Sequence, residues 1–494
     1  MGKDIYRNRL EVPLNKKVLS FLSSLKEDLW IAEEDIIGTE VHNIMLFEQG
    51  ILNKNEIKMI LNSLENIRNK FLNKQLELDE NFEDIHPFIE NCVIEDIGIE
   101  IGGKIHTGRS RNDQVSVDIR LKIRNELNKI SKMLFELFDV LLNQSKNFIT
   151  NFMPLYTHLQ RGQLGVFSHY INNYIAQILR SLERIEEVYN RNNCNPLGAC
   201  AIGGTSVNIN RKRTAELLGF QAVIENSIDA ISSKDYILET LMCLSLLSIQ
   251  FSRISEDLLI WSSKEFNFVE LDDGFCSVSS VMPHKKNPDT VELIRSKTSK
   301  IVSNLFTASM IIKTTPSGYF RDFQELKMLI KNSFNPLFSI IDMFIGIFST
   351  IKINSDEMLN AIKGSYILAL DLAELLVNKN NIPFRQSHKI VAKLVKESNN
   401  PQDILNKKKI ESAILEIEKK KIIIPEDFVE SLKDLNKCLE MRISQGSPSE
   451  TEVKKFIQSL KENKNKLYET YLIRVENVEK AKSNRENLIK KLIS

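Results

Sequence analysis

Three polar segments of this 494-residue chain hold most of the side chains able to move protons or grip anions. The first is His106-Thr107-Gly108-Arg109-Ser110-Arg111-Asn112-Asp113-Gln114. Asn112 or Asp113 can cap a helix there, and free N–H groups beside two arginines make an anion site. A capped turn with exposed arginines fits the same residues. The second, Tyr156-Thr157-His158-Leu159-Gln160-Arg161-Gly162-Gln163, places one of only seven histidines between polar neighbours ahead of a helix. An imidazole changes charge near neutrality and can give or take a proton; a hydrogen-bonded structural histidine is the alternative. The third runs Cys276-Ser277-Val278-Ser279-Ser280-Val281-Met282-Pro283-His284-Lys285-Lys286-Asn287-Pro288-Asp289. Small hydroxyl residues followed by lysines suit a mobile lid carrying a nucleophile or base, with the prolines stiffening its far end. A plain polar connection suits them equally. Gly203-Gly204-Thr205 lacks the spacing of a phosphate-binding loop and reads as a tight turn.

The elements that must position these segments are helices. Ile123, Leu127, Ile130, Leu134, Leu137 and Leu141 recur at steps of four and three, predicting one helix over about 113–148. Ile237, Leu241, Leu244, Leu247, Phe251, Ile254 and Leu258 form a second stripe, with shorter ones over roughly 164–191 and 289–312. The chain has 18 glycines and 12 prolines, about half the usual share. That excludes a sandwich or propeller of many short strands and predicts an all-α, elongated bundle. Stripes this long exceed what one chain can cover, so oligomerisation is expected. Boundaries near 104–112 and 353–356 divide the chain into an N-terminal helical domain (1–112), a central helix bundle (113–355) and a C-terminal helical domain (356–494). Ser444-Gln445-Gly446-Ser447-Pro448-Ser449 breaks the last of these before an extension from about 453.

Composition narrows the function. With 66 Lys+Arg against 65 Asp+Glu, the formal charge of +1 argues against a dedicated nucleic-acid binder. No uncharged apolar run approaches the roughly 20 residues of a membrane span, the best being Thr240 to Ser252. The N-terminus has no apolar signal-peptide core. Six scattered cysteines form no C-x-x-C pair, predicting reduced thiols in a cytoplasmic protein without a zinc site.

The segment Ser279-Ser280-x-Met282-Pro283-x-Lys285-x-Asn287-Pro288 resembles the signature of the fumarase/aspartase superfamily. Within it, His106–Gln114 and Thr157-His158-Leu159-Gln160 look like the argininosuccinate lyases. Pro196-Leu-Gly-Ala, Gly204-Thr205, Arg213 to Phe220, Asn226-Ser227-x-Asp229-Ala230 and Tyr319-x-Arg321-Asp322-x-Gln324-Glu325 add to the match. The resemblance runs in register from about residue 20 to 450.

It implies a β-elimination of argininosuccinate to arginine and fumarate, with no metal or organic cofactor. It also implies a homotetramer with a twenty-helix core, in which the three motifs of each site come from three different subunits. The catalytic pair would be Ser279, the base, and His158, the acid, with Glu292 hydrogen-bonded to the histidine; the reverse assignment stays open. Lys285 would stabilise the serine alkoxide and, with Asn287, the dianionic intermediate. Substrate positions carried over are Ser24, Asn112, Thr157 and Asn287, with Tyr319, Gln324 and Lys327 at the amino-acid end. Ser110 and Arg111 would take a succinyl carboxylate, and Asp84 matches an acidic position near the site. Val278 departs from the family's glycine and Leu164 from its proline, changes expected to act on loop mobility. The alternatives are a lyase for another N-substituted aspartate, such as adenylosuccinate or a diamine disuccinate, and a silent structural homologue.

Overall fold

The computed structural model describes Arg9, Val12 and residues 14–494. After two short helices, Lys16–Leu22 and Leu25–Asp28, come α1 (Ala32–Glu48), α2 (Lys54–Leu72) and α3 (Ile85–Ile97). Five long ones follow: α4 (Arg111–Asn147), α5 (Phe167–Asn192), α6 (Asp235–Ser262), α7 (Asp289–Ile312) and α8 (Leu326–Thr350). The stripes expected of α4 and α6 are buried: Ile123, Leu127, Ile130, Leu134 and Leu141 on α4 are fully inaccessible. Short helices from Ser355–Lys363 to Leu435–Glu440 lead to a final helix, α9 (Glu450–Ile493).

Helix direction decides what the bundle can bring together. Arg111 and Val115 at the start of α4, Tyr236 at the start of α6 and Lys327 at the start of α8 line one cleft. At the opposite end of the bundle, Gln144 donates to the Phe348 carbonyl, 2.6 Å away, and Trp261 meets Phe167 and Tyr170 edge-on. So α4, α6 and α8 run one way, while α5 and α7 return. The 37 residues of α4 make the separation about 55 Å.

Two cores result. Leu25, Ile36, Ile44, Ile60, Ile85 and Phe88 form the first, closed by Ile489 and Leu492 from the end of α9. The bundle and the short C-terminal helices share the second, which also holds Val453, Ile457 and Leu460 from the start of α9. The 44 residues of α9, about 66 Å long, therefore tie the two cores together. Helix α6 and the segment Arg321–Thr350 reach the length and apolarity of membrane spans, but 56% and 44% of their apolar windows are buried in the bundle.

Two local features differ from the sequence reading. The N-cap of α4 is Ser110, not Asn112 or Asp113. The stretch before α5 is an antiparallel hairpin, β1 (Phe152–Thr157) with β2 (Gln160–Val166), and Leu164 lies buried in β2 opposite Pro154.

Candidate active site

At the first end of the bundle, Ser110 opens α4 with a capping box. Its hydroxyl accepts from the Asn112 N–H at 3.3 Å, while its own N–H donates to Asp113 Oδ1 at 3.0 Å. The other Asp113 oxygen accepts from the N–H groups of Gly198 and Cys200, both at 2.9 Å, and so pins the anion loop to a neighbouring turn. Asn112 donates to the Ala201 carbonyl. Gly108 has φ 69°, and a Cβ there would press on Val207 and Ile209 at 3.2 Å, so glycine is required.

The cleft beside this loop is lined by Ser24, Arg111, Tyr319, Gln324 and Lys327, the residues carried over for the substrate's amino-acid end and a carboxylate. Lys327 is ion-paired with the inaccessible Asp28, and Ser24 Oγ donates to the other Asp28 oxygen at 2.8 Å. Arg111 Nη1 lies 3.2 Å from Asp84 Oδ2 and 3.8 Å from Glu83 Oε2. Asp84 also caps α3 through the His86 N–H, serving helix and cleft together. Gln324 Nε2 and Arg321 both donate to the Leu22 carbonyl. Burial, reinforced by the nearby Asp84 carboxylate, pushes the Tyr319 phenol up to about 12, so it stays a neutral donor.

At the far end, His158 and Leu159 form the two-residue turn between β1 and β2, with φ of 54° and 56°. Positive φ at both positions matches the right-handed twist of a hairpin. It costs residues with a Cβ about 1–2 kcal/mol each, strain typical of functional positions. Arg161 bonding the Ala361 carbonyl at 2.8 Å, and Tyr156 packing on Phe266 and Phe268, hold the hairpin down. Thr157 and His158 face outward.

The signature loop is a second, smaller ladder, β3 (Ser277–Val278) with β4 (Lys286–Asn287). Val278 sits in its extended strand, where no glycine is needed. Ser279 Oγ accepts from the N–H groups of Met282 at 3.0 Å and Val281 at 3.3 Å. Lys285 and Glu292 are exposed, while Lys286 is paired with Asp273 and Glu270. Among the described residues, no hydrogen bond or ion pair joins His158, Ser279, Lys285 or Glu292 to one another within the chain. The chain thus gathers its carried-over residues into two groups about 55 Å apart. Ser24, Ser110, Arg111, Asn112, Tyr319, Gln324 and Lys327 stand at one end. Thr157, His158, Ser279, Lys285, Asn287 and Glu292 stand at the other.

One cluster of metal-ligand types occurs among the described residues: Asp35, His86 and Asp118, all buried, have ligand atoms within 4.8 Å of one another. Burial and the Asp35 carboxylate push Asp118 well above the usual range. For Asp35, His86 and Arg109 outweigh the burial that opposes them and hold it low. Both carboxylates lie beneath the 106–114 loop, where Arg109 is a nearby positive charge that favours their ionised forms.

A family described as Lyase matches residues 8–303, and one described as Argininosuccinate lyase C-terminal matches residues 366–440. The argininosuccinate lyase of Methanocaldococcus jannaschii is 39% identical over 457 residues, 92% of this chain and 93% of that one. The chain belongs to the argininosuccinate lyase family. The Nitrosopumilus maritimus argininosuccinate lyase is 43% identical over 390 residues, 79% of each chain. Among solved structures, an EDDS lyase variant with bound fumarate superposes with a TM-score of 0.85 at 23% identity, over 96% of this chain and 94% of that one. A class II fumarase from Schistosoma mansoni gives 0.71 at 16%, over 87% and 97%. These structures establish the all-α fumarase-like fold, and the family makes the chain a lyase.

Argininosuccinate lyase motifs led to Ser24, Asp84, Arg111, Tyr319, Gln324 and Lys327 in the cleft but not to Lys234 or Tyr236, nor to Asp28 behind it. Asp28 carried a signal, being four residues from Ser24 and so on the same helical face. Lys234 carried none, because only burial distinguishes it from other lysines.

Proposed function

We propose that this chain performs the elimination its family is named for, argininosuccinate to L-arginine and fumarate, at sites assembled from several copies of itself. The observation that carries the mechanism is the pair of backbone N–H groups aimed at Ser279 Oγ, on the loop that also bears Lys285. A serine hydroxyl has a pKa far above neutrality and acts as a base only where its alkoxide is stabilised. Two oriented N–H donors supply part of that, and Lys285, on the same loop, is the cation assigned to supply the rest in the assembled site. Ser279 removes the proton from the succinyl carbon next to a carboxylate. The resulting dianionic aci-carboxylate is held by Lys285 and Asn287, and the electrostatic stabilisation of such an intermediate is the largest catalytic term. The carbon–nitrogen bond then breaks as His158, oriented by Glu292, protonates the leaving guanidinium nitrogen. Arg111 and Ser110 hold a succinyl carboxylate, with Asn112 and Thr157 alongside. Ser24, Tyr319, Gln324 and Lys327 hold the arginine end.

The 55 Å between the two groups supports a shared site: a molecule the size of argininosuccinate cannot span it, so the missing half comes from another copy. Exposed apolar side chains support the same reading. Met242 and Ile249 on α6, and Leu293, Phe306 and Met310 on α7, are each about half exposed, a pattern that marks an interface. A homotetramer in the cytoplasm, each site drawing on three subunits, satisfies both. Fumarate release on argininosuccinate, followed by ultraviolet absorbance, tests the reaction. Turnover on adenylosuccinate or a diamine disuccinate, with none on argininosuccinate, would overturn it.

A further inference from the structure

His158 stands at the tip of the β1–β2 hairpin with φ 54°, and among the described residues its ring has no hydrogen-bond partner within the chain. Within the chain the turn is therefore what aims the imidazole. A turn of two residues with side chains at positive φ keeps its shape only where its surroundings hold it. The two strands are held by different parts of the protein. On β1, the Tyr156 N–H donates to the Tyr170 hydroxyl of α5 at 3.2 Å, and the Tyr156 ring packs on Phe266 and Phe268. On β2, Arg161 lies opposite Tyr156, the second pair from the turn.

Arg161 reaches the C-terminal helices. Its Nη1 donates at 2.8 Å to the Ala361 carbonyl, in the last turn of the helix Ser355–Lys363. The last carbonyls of a helix have no partner inside it and carry partial negative charge. Those of Asn360 and Ile362 take the N–H groups of Gly364 and Ser365, and that of Ala361 takes the guanidinium. The Arg161 side chain also hydrogen-bonds the Tyr156 phenol across the ladder. A second cation fixes the root of the same strand: Arg442, ion-paired with the buried Asp371, donates to the Leu164 carbonyl.

We infer that Arg161 is a positioning residue for His158: by tying β2 to the C-terminal helices and to Tyr156, it fixes the turn from which the imidazole meets the leaving nitrogen. The inference rests on the acid role given to His158 above. It extends the catalytic apparatus to the helix Ser355–Lys363, which carries none of the family-derived site residues. Arg161 itself touches no reacting atom. A proton donor works only within hydrogen-bond reach of its target, and a displacement of about 1 Å can cost about 10²-fold. The planar fork of arginine serves two acceptors at once, whereas lysine brings a point charge to one.

The test uses the full-length assembled enzyme, with kcat and KM for argininosuccinate measured for Arg161→Ala, Arg161→Lys, His158→Asn and the double variant His158→Asn with Arg161→Ala. Arg161→Ala should lower kcat by about 10- to 100-fold with KM within about threefold, and Arg161→Lys should lower it less. In the His158→Asn background the same alanine should cost less than about threefold, because an absent imidazole cannot be misaimed. A further loss there as large as in wild type overturns the inference. So does an Arg161→Ala kcat within about threefold of wild type, or a loss confined to KM, which would mark a substrate contact instead. Where the alanine variant does not assemble, Arg161→Lys carries the same cycle, and a lysine variant as fast as wild type overturns the inference. Wild-type fumarate release is the control: its failure sinks the reaction. An undiminished His158→Asn sinks the acid role and this inference with it, whereas an additive cycle in an active enzyme sinks only the part given to Arg161.

Discussion

Ser279 is a weak base unless the loop around it makes it a strong one. Its two N–H donors come from Val281 and Met282 on an exposed loop, so removing the hydroxyl leaves them to water at little cost. Ser279→Ala should therefore melt within a degree or two of wild type while turnover falls at least about 10³-fold. His158→Asn should slow release by about 10²- to 10⁴-fold. Single-turnover fumarate release beside a thermal melt checks both, and near-normal release would remove either residue from the mechanism. These groups were legible in the sequence because reactive residue types clustered in short segments. Lys234 was not, since what sets it apart is lost solvent and its place against Phe323, 89 residues on.

At the scale of elements, the start of α4 carries both stability and binding. Ser110→Ala loses the side-chain acceptor of the capping box and should cost about 1 kcal/mol in urea unfolding, whereas Ser110→Gly should lose only a few tenths. Both should weaken substrate binding, because Arg111 follows directly. An alanine variant as stable as wild type would show that Asp113 alone holds the loop. The long helices were legible because each repeats an apolar position every three or four residues over six or seven turns. The 152–166 hairpin was not: its turn is His158-Leu159 rather than Asn-Gly, so the usual signal is missing and the backbone takes positive φ against preference. Val278, read as a departure from the family's glycine, takes an extended strand position that tolerates any side chain.

For the whole molecule, the separation of the two residue groups makes a genetic prediction. Ser279→Ala and Arg111→Met strike opposite ends of the bundle, so each should inactivate its own tetramer. Coexpressed, the two should form mixed tetramers in which some sites receive neither change, and activity should return in part. No recovery from tetramers proven to be mixed would place both groups in one chain's site. The proposed oligomer was legible in the sequence only as an excess of apolar stripe. The length of α4, which separates the two residue groups, is what supports it.

The final helix places a constraint on synthesis. Ile489 and Leu492, made about 400 residues after Phe88, complete a core whose other members begin at Leu25. The first domain thus leaves the ribosome with part of its apolar surface uncovered. At roughly 5–20 residues per second, it waits some tens of seconds for the end of α9. An early-made part of each nascent chain therefore closes only after α9 is made, and until then its apolar surface is open to other chains.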